Sequence, residues 1–243
     1  MAARSKRNLI SVPELPAGRR IYAIGDVHGR ADLLGRLQQR IAADVELNPA
    51  ADPLLVCLGD YVDRGPDSAG VLDLLLGETP AGMRRVALMG NHEELMLRFL
   101  VDDSVGAVWL ANGGDATLES YGIDPSESYE RARRQLSSRL PARHLALLES
   151  LVLSHSEGGY FFAHAGIRPG VALDRQRRED LLWIRGEFLR SDTDHGKVVV
   201  HGHSITAEPD IRANRIGIDT GAYASDRLTC LVLEGRERRF FGT

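Results

Sequence analysis

Cysteine is scarce in this sequence, with only Cys57 and Cys230 among 243 residues. Both fall inside short apolar segments, where a thiol behaves as a small apolar side chain. We therefore expect no disulfide between them. Such cysteine usage is typical of a reducing compartment.

Long apolar runs and an excess of positive charge are also missing. No stretch approaches the roughly 20 apolar residues that cross a bilayer, and the N-terminus lacks the apolar core of a signal peptide. The sequence thus predicts a cytoplasmic protein that does not enter a membrane. The formal net charge of −4 argues against broad binding to nucleic acid polymers, which usually requires a basic face.

The composition that remains is that of an ordinary globular protein, with 43% hydrophobic and 26% charged residues. A chain of 243 residues commonly forms one domain of the α/β type. Polar residues, proline and glycine dominate residues 1–19, so we expect a loosely ordered leader there and a single domain over residues 20–243. We expect a monomer or a weak oligomer.

The periodicity of apolar residues predicts the order of helices and strands. Three short apolar segments are each followed by a polar loop and a segment of helical spacing, at residues 31–41, 69–76 and 93–101, which favours parallel strands with crossover helices. Residues 102–150 carry no strong strand pattern, and we expect a helical insert that caps the cleft. Strands are expected to return in the second half, with hairpins at Glu157-Gly158-Gly159 and Glu234-Gly235-Arg236. These later strands are predicted at 151–154, 160–163, 198–201, 216–218, 228–233 and 238–241.

Five short blocks each follow an apolar segment and each contains a side chain that can bind a metal ion. One Gly-Asp pair after a strand is usually only a turn, but strand ends in an open α/β sheet meet on one edge, so five such blocks predict a shared site. Oxygen and imidazole ligands suit Mn, Fe or Zn. The side chains expected to meet there are Asp26, His28, Asp60, Asn91, His164 and His203.

A dinuclear centre would give these ligands a common purpose. Two divalent ions about 3.5 to 4 Å apart need a bridging anion, and the Asp60 carboxylate is the natural candidate. Water bound to both ions becomes acidic enough to attack a substrate as hydroxide near neutral pH.

Three further side chains are expected to act beside the ions. His92 follows Asn91 directly and is the candidate general acid, with Asp63 as the carboxylate that orients it. Asp63 could otherwise be a turn residue, and Arg64 could be a surface cation. Next to two metal ions, however, Arg64 becomes a clamp for phosphate oxygens.

Taken together, the motifs Asp-Val-His-Gly, Gly-Asp-x-Val-Asp-Arg-Gly, Gly-Asn-His-Glu, His-Ala and Gly-His resemble the phosphoprotein phosphatase branch of the calcineurin-like metallophosphoesterases. The chain is most similar to the bacterial and bacteriophage lambda-type Ser/Thr protein phosphatases, over about residues 21–233. The resemblance implies a four-layer α/β/β/α sandwich of two mixed sheets, whereas the sequence itself supports only a mixed α/β fold. It also implies a first ion held by Asp26, His28 and Asp60, and a second held by Asp60, Asn91, His164 and His203.

Two more residues enter through the same resemblance. Arg185 would grip the phosphate together with Arg64, although a salt-bridging helix residue is an equal alternative. Asn112 would shape the phosphate cleft, or Asn112-Gly113-Gly114 could be only a tight turn. The chain departs from its relatives at His201 and Ser204, and we do not expect His201 to bind metal.

The resulting prediction is a phosphatase with two divalent ions, with Mn2+ favoured and Fe or Zn as alternatives. It would remove phosphate from serine, threonine and also tyrosine side chains of phosphoproteins by direct attack of a dimetal-bound hydroxide. The intact Val62-Asp63-Arg64-Gly65 and Glu93 favour a protein phosphatase over a hydrolase of dinucleoside polyphosphates or other small phosphorylated substrates. A non-catalytic binding module is a third possibility, against which the complete ligand set argues.

Overall fold

The computed structural model describes residues 13–243. Within them, ten strands form two mixed five-stranded sheets. The strands are β1 (Arg19–Ile24), β2 (Asp52–Cys57), β3 (Arg84–Ala87), β4 (Ser154–Glu157), β5 (Tyr160–Ala163), β6 (Val198–His201), β7 (Asp210–Ile211), β8 (Arg215–Gly217), β9 (Thr229–Glu234) and β10 (Glu237–Gly242). The first sheet has the order β10-β9-β1-β2-β3, and the second has the order β4-β5-β6-β8-β7.

Ten α-helices surround the sheets in the described part of the chain. They are α1 (Ala31–Leu47), α2 (Ser68–Leu76), α3 (Asn91–Val101), α4 (Gly106–Trp109), α5 (Asp115–Ser120), α6 (Tyr129–Arg139), α7 (Ala142–Ser150), α8 (Arg178–Trp183), α9 (Gly186–Leu189) and α10 (Ala222–Ser225). None of these helices is long and apolar enough to cross a membrane.

Side chains alternate between the two faces of each strand, and this alternation determines which core a residue enters. On β1, Ile21 and Ala23 face the second sheet and pack in one core with residues such as Phe162 of β5. Their neighbours Tyr22 and Ile24 face the opposite way and pack in a second core with α1 and α2. A third core joins the outer face of β5 and β6 to α8 and α9. The predicted α/β/β/α sandwich is therefore confirmed.

Strand directions agree with the loop lengths. β1, β2 and β3 are parallel, as the crossover helices predicted. The two expected hairpins are also present, since β4 pairs antiparallel with β5 and β9 pairs antiparallel with β10. The parallel strands of both sheets place their carboxyl ends on the same side of the molecule, where the five sequence blocks begin.

The structure differs from the sequence prediction at several boundaries. The strand predicted at 151–154 is reduced to one bridge between Leu88 and Val152, and β4 begins only at Ser154. The two-residue β7 and the short helices α8, α9 and α10 had not been predicted, because elements of two to six residues are too short to show a period.

The predicted leader lies partly outside the described residues, which begin at Pro13. Leu15 is buried, and its N–H donates to Gly235 O at 2.9 Å. The Glu14 carbonyl accepts from Gly159 N, also at 2.9 Å. Residues 13–18 are thus fixed against two hairpin turns, a contact that their polar composition did not indicate.

Candidate metal centre

Loops after β1, β2, β3, β5 and β6 bring the predicted site residues together. Five of these residues have backbones with positive φ, a region that non-glycine residues rarely adopt. Such local strain is characteristic of functional loops whose side chains must point to one place. They are His28 (45°), Asp60 (51°), Asp63 (73°), Arg64 (68°) and His203 (61°).

One group of donor atoms forms around His164. Its Nδ1 lies 2.9 Å from Leu58 O, so this nitrogen carries the proton and Nε2 presents a lone pair. Nε2 in turn lies 2.9 Å from Asn91 Oδ1, 3.3 Å from Asp60 Oδ1 and 3.2 Å from His203 Nδ1. Burial is the main influence that lowers the pKa of both imidazoles, to about 2 for His203. Several acceptor atoms therefore converge on one point, an arrangement that a cation stabilises.

The second group forms around His28 on the other side of Asp60. His28 Nδ1 lies 2.9 Å from Val62 O, which leaves Nε2 directed at Asp60 Oδ2, 3.5 Å away. Burial lowers the pKa of His28 to about 3, so the ring is a neutral imidazole whose Nε2 lone pair faces Asp60 and the Arg64 guanidinium. The hydrogen bond from the other nitrogen fixes its orientation, as is usual for histidines that bind metal ions.

Asp26 adds a buried carboxylate beside these groups. Its Oδ2 accepts from His203 N at 2.9 Å, but its buried Oδ1 has no hydrogen-bond partner among the described residues. Burial, followed by the charges of Asp219 and Asp60, raises the pKa of Asp26 well above its ordinary value. A positive charge at this point would remove the cost of two buried carboxylates close together.

The donor set fits a pair of divalent ions. Asp60 belongs to both compact groups, one with His28 and His92 and one with His164 and His203, and the donor atoms of each group lie within 4.8 Å of one another. All of these side chains are at most 5% exposed. A shared carboxylate flanked by imidazole, amide and carboxylate donors suits Mn, Fe or Zn.

His92 differs from the other histidines in its partner. Its Nδ1 lies 2.7 Å from Asp63 Oδ2, and its Nε2 lies 3.8 Å from Asp60 Oδ2. Burial is the largest influence and lowers the pKa of His92, but the Asp60 charge and the hydrogen bond to Asp63 outweigh it and raise the pKa above its ordinary value. With Nδ1 engaged by Asp63, the Nε2 atom is the one that can hold or release a proton in the cleft.

Glu93 organises the backbone around the site. Its buried carboxylate accepts from the N–H groups of four residues, at distances of 2.7 to 3.2 Å. These residues are Asp60, Tyr61, Val62 and Gly90. Glu93 thereby joins the loop after β2 to the start of α3, in the manner of a capping box.

Arg64 projects over the cluster. Its guanidinium lies 2.9 Å from His28 Nε2 and 3.1 Å from His92 Nε2. Its backbone N–H donates to Gly113 O at 2.9 Å, and its Cζ lies 5.0 Å from the centre of the Tyr223 ring. A planar cation held in this way can bind two oxygens of a phosphate at once.

Comparison with known proteins gives these features a context. A sequence model described as "Calcineurin-like phosphoesterase" matches residues 19–231. The chain belongs to the calcineurin-like phosphoesterase family. This phosphoesterase is thus a hydrolase of phosphate esters from a family that uses divalent metal ions, as its motifs predicted.

Relatives of the phosphoesterase bear the names of more than one substrate class. The chain is 30% identical over 222 residues to Serine/threonine-protein phosphatase 2 of Escherichia coli strain K12, covering 87% of this chain and 91% of that protein. It is 34% identical over 172 residues to the symmetrical bis(5'-nucleosyl)-tetraphosphatase of Dechloromonas aromatica strain RCB, covering 70% of this chain and 52% of that protein. Among solved structures, a cold-active protein tyrosine phosphatase shares the fold, with a TM-score of 0.60 at 18% identity, covering 94% of this chain and 82% of that chain. Family membership therefore identifies the chain as a phosphoesterase but does not identify its substrate.

Two predicted residues of the phosphoesterase lie at the margin of the site. Arg185 is exposed between α8 and α9, and its charge contributes to lowering the pKa values of His164 and His203. It makes no ion pair within residues 13–243, although the alternative of a salt-bridging helix residue required one. Asn112 is half-buried, and its amide donates to Val108 O at 2.8 Å, while the adjacent Gly113 contacts Arg64. Both assignments stay predictions.

Several residues that support the site had not been predicted as site residues. Trp109 and Thr117 contact Asp63, and Tyr223 stacks on Arg64. Trp109 is the first residue of the segment Trp109-Leu110-Ala111-Asn112-Gly113-Gly114, which resembles the family, and this was the available signal. Its hydrogen bond to Asp63 depends on a contact 46 residues apart in the chain, which no local pattern reveals.

Proposed function

We propose that this phosphoesterase is a metal-dependent phosphatase that hydrolyses phosphoserine and phosphothreonine, and also phosphotyrosine, in proteins. The observation that carries the proposal is the buried His92–Asp63 pair, with 2.7 Å between Nδ1 and Oδ2, next to Asp60, the carboxylate common to both groups of donors. A proton donor at that position serves a reaction whose leaving group is a poorly acidic alcohol.

Two ions would be held by the residues already described. Asp26, His28 and Asp60 would hold one ion, and Asp60, Asn91, His164 and His203 would hold the other. When bound, the ions supply Lewis-acid activation of water and of the phosphoryl group. Mn2+ is the proposed metal, with Fe and Zn as alternatives, because these ligands accept all three.

The side chains of the protein then bind the substrate and move the proton. Arg64 and Arg185 hold the non-bridging phosphate oxygens, over which negative charge spreads as the phosphoryl group is transferred. His92 gives the proton on Nε2 to the departing alcohol oxygen. Asp63 keeps the imidazole in the required tautomer and stabilises its cationic form.

Dinucleoside tetraphosphates are the second candidate substrates. The symmetrical tetraphosphatase of Dechloromonas aromatica is the relative with the higher identity of the two described, although the match spans only 52% of that protein. The match to the E. coli phosphatase spans 91% of its length at 30% identity, whereas the asymmetrical tetraphosphatase of Oceanobacillus iheyensis matches over 90% of its length at 26% identity. The higher identity at nearly equal coverage favours the phosphoprotein.

A direct competition separates the two candidates. Metal-loaded protein should be tested at matched concentrations on a phosphoserine/phosphothreonine peptide, followed by phosphate release, and on a dinucleoside tetraphosphate, followed by separation of its mononucleotide products, because cleavage of the tetraphosphate bridge frees no inorganic phosphate. His92→Asn serves as the low-activity control on the peptide. We expect a higher kcat/KM for the peptide. A higher kcat/KM for the nucleotide would make the dinucleoside tetraphosphate the proposed substrate and would leave the roles of the metal-binding residues and His92 unchanged.

A further inference from the structure

The helical insert reaches into the candidate general-acid pair. Trp109, at the end of α4, donates from Nε1 to both oxygens of Asp63, at 3.0 and 3.2 Å. Thr117, on α5, donates from Oγ1 to Asp63 Oδ1 at 2.6 Å. All three side chains are fully buried. The carboxylate that faces His92 is therefore held from behind by two residues of the insert.

The backbone between Trp109 and Thr117 is shaped for these contacts. Residues Leu110–Gly114 form a wide π-helical turn, a feature that often occurs at functional sites. Gly113 has a φ of 99° and packs on the Arg64 backbone, while a Cβ on Gly114 would lie 2.6 Å from atoms of the Trp109 indole. Glycine at 114 thus permits the close approach that aims the indole N–H at Asp63.

We propose that Trp109 and Thr117 are positioning residues that fix the Asp63 carboxylate and, through it, the imidazole of His92. The helical insert then belongs to the proton-transfer apparatus. This inference rests on the proposed function, because it assigns the two residues to the general-acid step of that reaction.

Hydrogen bonds from Trp109 and Thr117 restrict the rotation of the Asp63 carboxylate. A carboxylate that bonds only His92 can turn about its Cβ–Cγ bond, whereas donors on both oxygens hold its plane in one orientation. His92 is bonded to Oδ2 through Nδ1, so the direction of its Nε2 follows the plane of Asp63. Loss of either donor also leaves a buried carboxylate oxygen with one bond fewer, which favours a different arrangement.

The orientation of His92 matters at the step in which the phosphate ester bond breaks. The ester P–O bond breaks and leaves its electron pair on the alcohol oxygen, which takes the proton from His92 Nε2 while a new P–O bond forms to the oxygen of water. An acidic leaving group such as nitrophenol departs without that proton, but a serine side chain does not. Misalignment of His92 should therefore slow the phosphopeptide far more than p-nitrophenyl phosphate.

The test compares both substrates in Trp109→Phe and Thr117→Val, which keep most of the packing. Trp109→Phe removes one donor to the carboxylate, and Thr117→Val removes one donor to it together with an acceptor of the Asp63 N–H. We expect kcat on the phosphoserine peptide to fall about tenfold or more relative to kcat on p-nitrophenyl phosphate, with little change in KM or metal content. Thr117→Ser keeps the hydroxyl and should restore the wild-type ratio. Leu118→Ala weakens the same buried region without touching Asp63 and should lower stability while leaving the ratio unchanged.

Equal losses on the two substrates in both Trp109→Phe and Thr117→Val would overturn the inference. His92→Asn distinguishes a failure of the positioning role from a failure of the proposed reaction. If His92→Asn is selective for the phosphopeptide and the two insert variants are not, only the positioning role fails. If His92→Asn is itself unselective, the general-acid step of the proposed function fails, and the inference fails with it.

Discussion

His92 Nδ1 and Asp63 Oδ2 lie 2.7 Å apart, and both side chains are buried. The pair joins the start of α3 to the loop after β2, so two crossover loops of the first sheet meet in one hydrogen bond. That geometry leaves a single imidazole nitrogen, Nε2, facing the cleft and the shared carboxylate of Asp60.

Removing the imidazole should abolish most of the activity on alkyl phosphates. We expect His92→Asn to lower kcat on a phosphoserine peptide by about 10²- to 10⁴-fold, the usual contribution of a general acid. Steady-state kinetics with metal analysis of the same preparation checks this result. A variant that keeps both its metal and near-normal kcat would exclude His92 as the proton donor.

The position of the strand ends could be predicted from sequence, whereas the contacts behind the site could not. β5 and β6 occupy the predicted residues 160–163 and 198–201, because each is a short apolar run ending in a polar block. The parallel and antiparallel strand pairs followed from loop length, whereas the division into two sheets had come only from the family resemblance. Thr117, by contrast, meets Asp63 across 54 residues of chain, and such a pairing leaves no periodic trace.

The role of Glu93 is a second feature that could not be predicted from the sequence. Its family motif was visible in the sequence, but its task of accepting four backbone N–H groups emerges only from the fold. We expect Glu93→Gln to lower the free energy of unfolding by about 2–3 kcal/mol, since an amide N–H would face backbone N–H donors in a buried place. Urea denaturation measures this, with Glu119→Gln on the exposed face of α5 as the control. Equal stability of the two variants would contradict the organising role.

Asp44 gives a prediction about pH that lies away from the metal site. It accepts two hydrogen bonds from Arg239, each of 3.0 Å, and one of 2.6 Å from Tyr22. The Arg239 guanidinium is the main cause that holds the pKa of Asp44 below its ordinary value. A carboxyl group with a depressed pKa in the folded state stabilises the fold above its unfolded pKa, and this contribution is lost as the pH falls through the folded pKa.

Asp44→Asn should therefore be less stable than the wild type by about 1–2 kcal/mol at pH 7. The difference should shrink as the pH falls below about 4, where the wild-type carboxyl takes up its proton. Urea unfolding midpoints at a series of pH values measure the trend, and the exposed Asp174→Asn serves as control. A difference that stays constant down to pH 3 would contradict the ion pair as its source.

Arg185 should affect phosphate and leave the metal centre intact. Since it is exposed and makes no ion pair within residues 13–243, Arg185→Ala should remove a phosphate contact at little cost to folding. We expect inhibition by inorganic phosphate to weaken about 10- to 100-fold, the worth of a hydrogen bond to a charged group. Arg36→Ala, on the outer face of α1, is the matched control. Unchanged inhibition and turnover in Arg185→Ala would remove this residue from the site.

We propose that Asp60 would be shared by two metal ions on which phosphatase activity depends. The most direct measurement is phosphate release from a phosphoserine peptide by chelator-stripped protein during titration with Mn2+, with bound metal counted in the same samples. We predict no activity without metal and a return of activity as the bound metal approaches two ions per chain. We also predict that Asp60→Asn loses both metal binding and activity, whereas Asp174→Asn keeps both. Full activity in the stripped protein, or in Asp60→Asn, would contradict this proposal.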